Sequence, residues 1–181
     1  GYVLAGAARH AGAEVQLVAG AVGFWPPQGV HRSNVRSALE MHAAVMAQAG
    51  TADIFIGVAA VADYRVANAA EHKLKKDTGG IPPIALVENP DILAEVAALK
   101  DGPFCVGFAA ESRNLEAYAQ AKRTKKNIPL IAGNLIQDGF GGDDNTLILF
   151  DEAGAHPLKP AAKSVLASQL IQHIAHLTRR N

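Results

Sequence analysis

IFIGVAAVADYRVANAAEHKLKK, residues 54–76, is the stretch on which the reading of this chain turns. It opens on the apolar run Ile54-Phe55-Ile56-Gly57-Val58, which reads as a strand buried on both faces. Small residues, Ala59-Ala60-Val61-Ala62, carry the run into Asp63-Tyr64-Arg65. A strand end built of small residues lets a ligand approach the backbone. An acid at that point accepts hydrogen bonds from a sugar hydroxyl or holds a metal-bound water. Lys73, Lys75 and Lys76 follow, three cations within four residues, ahead of Asp77-Thr78-Gly79-Gly80. Lysines on a glycine-flanked loop beyond a strand suit a mobile arm that closes on phosphates. The plainer reading of the same residues is a buried strand followed by a solvated basic loop.

Upstream, residues 1–10 read as a helix of small residues, and Glu14-Val15-Gln16-Leu17-Val18 as a strand. Helix then strand is the second half of a β-α-β unit, so a strand is expected before residue 1. With it would come the glycine-rich phosphate turn usual in nucleotide-binding α/β folds. Residues 19–29 form a Gly/Pro loop in which Trp25 is expected to pack, on the surface or at a partner, and residues 33–49 read as a helix. Downstream, Ile84-Ala85-Leu86-Val87 reads as a strand. Asn89 suits a helix N-cap, Pro90 the first helical position and Asp91 the positive dipole end, with the helix running to about Leu99. The apolar run 104–108, FCVGF, followed by Ala109-Ala110-Glu111, repeats the format of strand, small residues and acid. Two such ends suggest a shared crevice at the edge of a sheet. Asn114 caps a helix to about Asn127, and Lys122 and Lys126, four apart, share one of its faces. Part of that basic cluster simply complements the helix's negative end. Leu130-Ile131-Ala132 is a strand. Residues 138–145, DGFGGDDN, are a glycine-rich acidic loop without the spacing of a calcium loop. Asp151-Glu152-Ala153-Gly154 marks a hairpin, and a core helix carrying Leu166, Leu170, Ile174 and Leu177 closes the chain.

At 181 residues, one domain with an ample core is expected. Seventeen basic and seventeen acidic residues cancel, which argues against a broad nucleic-acid or membrane surface. The single cysteine, Cys105, excludes an internal disulfide and lies in an apolar run, where it reads as buried and inert. No apolar run reaches transmembrane length, so a cytoplasmic protein is expected. None of the seven histidines has a zinc-ligand spacing, and no G-x-S-x-G elbow is present. The alternation predicts an α/β fold, a Rossmann-like three-layer sandwich with a mostly parallel sheet and a C-terminal antiparallel hairpin. Lysines and acids at small-residue strand ends point to phosphoryl or nucleotidyl chemistry, where positioning and charge neutralisation do most of the work.

The motifs AAVADYR, KLKK, NPDIL and VGFAAE, then Lys122 and Lys126 before PLIAGN, then GFGGDDN, closely resemble phosphopantothenoylcysteine synthetase in order and spacing. That family is the ligase half of a bifunctional bacterial enzyme of coenzyme A synthesis. The resemblance spans nearly the whole chain. It implies a single ligase domain, residues 1–181, lacking the family's first strand and glycine-rich loop. It also implies CTP-dependent joining of 4′-phosphopantothenate to L-cysteine through an acyl-cytidylate, releasing pyrophosphate and then CMP. By the same resemblance Asp63 meets the nucleotide, and Lys73 is the mobile catalytic lysine. Val87, Glu88, Asn89, Pro90 and Phe108 form the cytidine pocket, Glu88 through its backbone. Lys122 and Lys126 serve the nucleotide as well. Mg2+ would travel with the triphosphate, with no metal ligand assigned. A homodimer is implied, and FMN only in a fused decarboxylase domain that this chain does not contain. Without the loop asparagine that handles the acyl-cytidylate, the chain alone is expected to turn over poorly. Gly133-Asn134-Leu135 stands where the family has Ala-Asn-Asp. Two other readings stay open: a Rossmann-type NAD(P) oxidoreductase, whose G-x-G-x-x-G turn could lie only upstream, and a non-catalytic dimerisation module.

Overall fold

A computed structural model describes residues 1–70, 72, 83–111, 113–135 and 144–179. Lys73, Lys75 and Lys76 of the basic loop, and most of the glycine-rich acidic loop, therefore lie outside the described residues. The elements run α1 (Tyr2–His10), β1 (Gln16–Ala19), β2 (His31–Asn34), α2 (Ala38–Ala49), β3 (Ile54–Gly57), β4 (Tyr64–Val66), β5 (Leu86–Glu88) and α3 (Ile92–Ala97). There follow β6 (Phe104–Glu111), α4 (Leu115–Lys125), β7 (Leu130–Leu135), β8 (Asp144–Asn145), β9 (Ile148–Asp151), β10 (Gly154–Pro157), β11 (Ala161–Ala162) and α5 (Lys163–Thr178).

The main sheet has the order β10-β9-β7-β6-β3. β3, β6 and β7 are parallel, as expected, whereas β9 enters antiparallel beside β7 and turns back as β10. The sheet is therefore mixed, and the predicted hairpin supplies its antiparallel half. Neighbouring residues on its strands point to opposite faces. Cys105, Ile131 and Phe150 face one way, against Val45 and Ala49 of α2, Ile92 and Val96 of α3, and Leu115 and Ala119 of α4. Val106, Leu130, Ala132 and Leu149 face the other way, against Leu170 and Ile174 of α5, with Leu4 of α1 beside them. Helices on both faces of one sheet make the three layers. Gly107 on β6 suits this packing: a Cβ there would lie 2.9 Å from Leu93 Cδ2 and 3.0 Å from Ile128 Cδ1, so those side-chain ends would have to shift.

Several expectations are corrected. The strand at 54–57 is not buried on both faces. It forms the end of the sheet order, and Ile54 is 40% exposed. The helix expected from Ser33 begins at Ala38, where Ser37 is the N-cap and accepts from the Glu40 N–H at 3.1 Å. The four polar residues before it extend instead as β2, parallel to β1. The strand at 86–88 belongs to no main sheet. It pairs antiparallel with β4, Tyr64 opposite Glu88, and leaves Leu86 and Val87 exposed. Trp25 does not pack within this chain: it is 92% exposed. Its loop is held by other groups, because Arg32 donates to the carbonyls of Phe24 and Val22, and the Phe24 ring lies 5.9 Å from that of Tyr2. Cys105 is buried as expected, and burial pushes its thiol up to about 11.

Candidate functional site

The β4–β5 ribbon brings Asp63 and Asn89 together from opposite ends of a long excursion. The Asn89 N–H donates to the Asp63 carbonyl at 2.7 Å, and its side-chain amide donates to the Ala62 carbonyl at 2.8 Å. Arg65 donates to the Glu88 carbonyl and, at 3.2 Å, to Asn89 Oδ1. The expectation that Asn89 caps the next helix is thus overturned. Its side chain is committed to the preceding strand end, and the cap falls two residues later. Asp91 is the N-cap of α3 and accepts from the Ala94 N–H at 3.1 Å. Glu88 was expected to meet a nucleotide through its backbone; its carbonyl already accepts from Arg65.

The lysines of α4 reach the same place from the other side. Lys122 Nζ donates to the Phe108 carbonyl on β6 at 2.6 Å. Lys126, the C-cap of α4, forms an ion pair with Asp91. Asn114 precedes α4 as predicted, but in the left-handed conformation and with no capping bond from its side chain. Burial and the neighbouring Lys126 lower the Lys122 ammonium, against the opposing pull of Glu111, Asp91 and Asp63. Asp63 is therefore close enough to Lys122 to act on its charge, although the two are 59 residues apart in sequence. At Asp91, burial raises the carboxyl. The hydrogen bonds from Lys126 and Ala94, with the charges of Lys126 and Lys122, outweigh it and hold the carboxyl below the usual carboxylate value.

Among the described residues, then, the fold gathers Asp63, Asn89, Phe108, Lys122 and Lys126 around the start of α3. Val87 and Pro90 flank Glu88 and Asn89, Val87 exposed and Pro90 half-buried. Lys73 lies outside the described residues. Arg65 is a member that the residue order left without a role, and it is joined by Asp91, expected only as an acid at a helix start, and Glu111, expected as an acid of the shared crevice. Arg65 had a signal, since it sits in the ADYR motif beside Asp63. A separate cleft of about 230 Å³, lined by Leu115, Gly133, Asn134, Leu158 and neighbours, opens near the end of β7 and does not include the lysines.

Such an arrangement pairs cations with exposed acids and backbone carbonyls beside a strand. It can bind a polyanion through Lys122 and Lys126 and accept hydrogen bonds from a polar ring or sugar. The Asp91 oxygens are engaged by Ala94 and Lys126, so for Mg2+ the suitable hard donors are the carboxylate oxygens of Asp63. They form no all-protein cage, which fits an ion held mainly by phosphates.

The family model for the DNA/pantothenate metabolism flavoprotein C-terminal domain matches residues 1–177. The coenzyme A biosynthesis bifunctional protein CoaBC of Vibrio cholerae is 46% identical over 181 residues, 97% of this chain and 45% of that protein. The protein of the same name from Escherichia coli is 47% identical over 180 residues, 96% of this chain and 44% of its own length. The chain thus spans a little under half the length of these relatives. A crystal structure of the C-terminal domain of CoaBC superposes with a TM-score of 0.84 at 31% identity, covering 100% of this chain and 83% of that one. These matches do not favour a nicotinamide oxidoreductase. By the family model over residues 1–177 and these relatives, the chain belongs to the DNA/pantothenate metabolism flavoprotein C-terminal domain family, as the resemblance to the ligase half of the bifunctional enzyme had implied.

Proposed function

We propose that this chain is the phosphopantothenate–cysteine ligase domain of a cytoplasmic, homodimeric coenzyme A biosynthesis enzyme fused to an FMN-dependent decarboxylase. It uses CTP to activate the carboxylate of 4′-phosphopantothenate and then passes the acyl group to the amine of L-cysteine. The observation that carries the reading is the convergence of Asp63, Asn89, Lys122 and Lys126 from three separate segments onto one spot beside Phe108. Lys122 and Lys126 neutralise the phosphates, Lys126 leaving Asp91 to do so. Asp63 accepts from a ribose hydroxyl, and the segment Val87, Glu88, Asn89 and Pro90 with Phe108 borders the base. Lys73, outside the described residues, neutralises charge as the acyl-cytidylate forms. When bound, Mg2+ supplies charge neutralisation between phosphate oxygens.

The test uses the complete natural protein. Release of CMP and pyrophosphate is followed with 4′-phosphopantothenate, L-cysteine, CTP and Mg2+. Product formation that needs all four supports the reading. CMP release that ignores cysteine, or equal turnover when CTP is withheld, overturns it.

A further inference from the structure

A second group of chemistry-bearing side chains lies away from the lysine cluster, where α5 crosses the hairpin. Asp151 ends β9 opposite Gly154, and His156 on β10 stands opposite Leu149. The two are therefore diagonal neighbours on one face of the hairpin. That face carries Leu149 and packs against Leu170 and Ile174, so His173 of α5 arrives above it. Asp151 is 4% exposed, the one buried charged residue among those described. Its Oδ1 accepts from His156 Nε2 at 2.8 Å and from the Ala153 N–H at 2.8 Å, and its Oδ2 lies 3.0 Å from His173 Nε2. The two imidazole rings are tilted, with centroids 5.1 Å apart. One ligand atom from each residue lies within 4.8 Å of the other two.

We propose that Asp151, His156 and His173 form a binding site for one divalent transition-metal ion of the Zn2+ type, which fastens α5 to the β9–β10 hairpin. Two imidazoles and a carboxylate are the donors such an ion favours. Tetrahedral Zn2+ with bonds of about 2.0–2.1 Å sets its ligand atoms roughly 3.3 Å apart. The two histidine–carboxylate separations are already close to that value. The longest separation, at most 4.8 Å, closes by rotation of His156, whose side chain is 38% exposed. That exposure also leaves room for water as the fourth ligand. The Ala153 N–H fixes the carboxylate from behind, as groups outside the ligand set do at metal centres. Without metal, each Nε2–H donates to the carboxylate. Metal binding needs both Nε2 lone pairs, so the ring protons move to Nδ1. The lysine cluster is built from α3, α4, β6 and the β4–β5 ribbon and shares none of these ligands, so this site stands independently of the ligase reading.

The experiment is titration of the metal-stripped complete protein with ZnCl2, read by equilibrium dialysis and by thermal unfolding, with excess Mg2+ present. One saturable ion per chain and a raised unfolding temperature are expected. His156→Gln and His173→Gln each weaken binding by more than tenfold, while His42→Gln, whose imidazole pairs with Glu95 elsewhere, leaves it unchanged. Cobalt(II) added to the unmodified protein gives a reading that needs no variant: a visible absorption band of a four-coordinate ion, abolished by Zn2+. No saturable binding, no such band, or affinity unchanged in both histidine variants overturns the proposal and leaves a hydrogen-bonded cluster.

Discussion

Asp91→Asn separates two jobs that one carboxylate performs. As the N-cap of α3, Asp91 accepts from the Ala94 N–H, and as an anion it holds Lys126. Asparagine is as good an N-cap as aspartate, whereas alanine there costs about 0.5–2 kcal/mol. The Asn variant therefore keeps α3 and loses only the ion pair. The Asp91 side chain is 53% exposed, so the pair contributes about 0.2–1 kcal/mol after solvent screening. On the proposed ligase reading, a triphosphate must take Lys126 away from Asp91. Removing that competitor tightens CTP binding by the same amount, about 1.4- to 5-fold, and more at low salt. Isothermal titration of CTP–Mg2+ into the complete protein and its variant, at two ionic strengths, measures this. The pH profile supplies a second reading. Because the folded carboxyl is held below its ordinary value, its stabilising contribution is complete above about pH 4 and is lost as pH falls through the depressed value. The Asn variant lacks that acid-side loss. An unchanged or weaker CTP affinity in a variant that keeps the wild-type circular dichroism spectrum would refute the account of Lys126.

Four further outcomes are expected. Lys122→Gln should lower turnover by about 10²–10³-fold with the circular dichroism spectrum unchanged, because it removes a fixed cation from the site and puts an uncharged polar group in its place. Lys73→Gln should depress acyl-cytidylate formation, read by pyrophosphate release, with no change in unfolding midpoint; equal rates would remove Lys73 from the chemistry. Gly107→Ala should destabilise by about 1–3 kcal/mol in urea, since the new methyl meets Leu93, Ile128 and Ile131 side chains at 2.9–3.2 Å. Leu170→Ala, on a side chain with no exposed surface beneath β9, should cost about 2–5 kcal/mol and still bind CTP as the wild type does.

The layered α/β architecture was written into the amino-acid order wherever burial was total. FCVGF and LIA are apolar at every position because β6 and β7 have helices on both faces, and such runs need no partner to be recognised. The hairpin declared itself through Asp151-Glu152-Ala153-Gly154, and α5 through Leu166, Leu170 and Ile174 at helical spacing. β2 escaped notice because His31, Arg32, Ser33 and Asn34 carry no apolar signal; pairing with β1 alone makes them a strand. The Asn89 cap failed for a similar reason. An asparagine before a proline bonds with whatever lies within reach, and only the folded ribbon puts Ala62 and Arg65 there. Residue types at the candidate site could be named from the order alone, since lysines and acids beside small-residue strand ends suit phosphate chemistry wherever they occur. Which acid restrains which lysine could not. Lys126 meets Asp91 across 35 residues, and His173 meets Asp151 across 22, because β6 and α4 in one case and the hairpin and α5 in the other bring them within hydrogen-bond range. Chemical character is local to a residue, whereas proximity belongs to packing, and charge pairs and metal ligands are made of proximity.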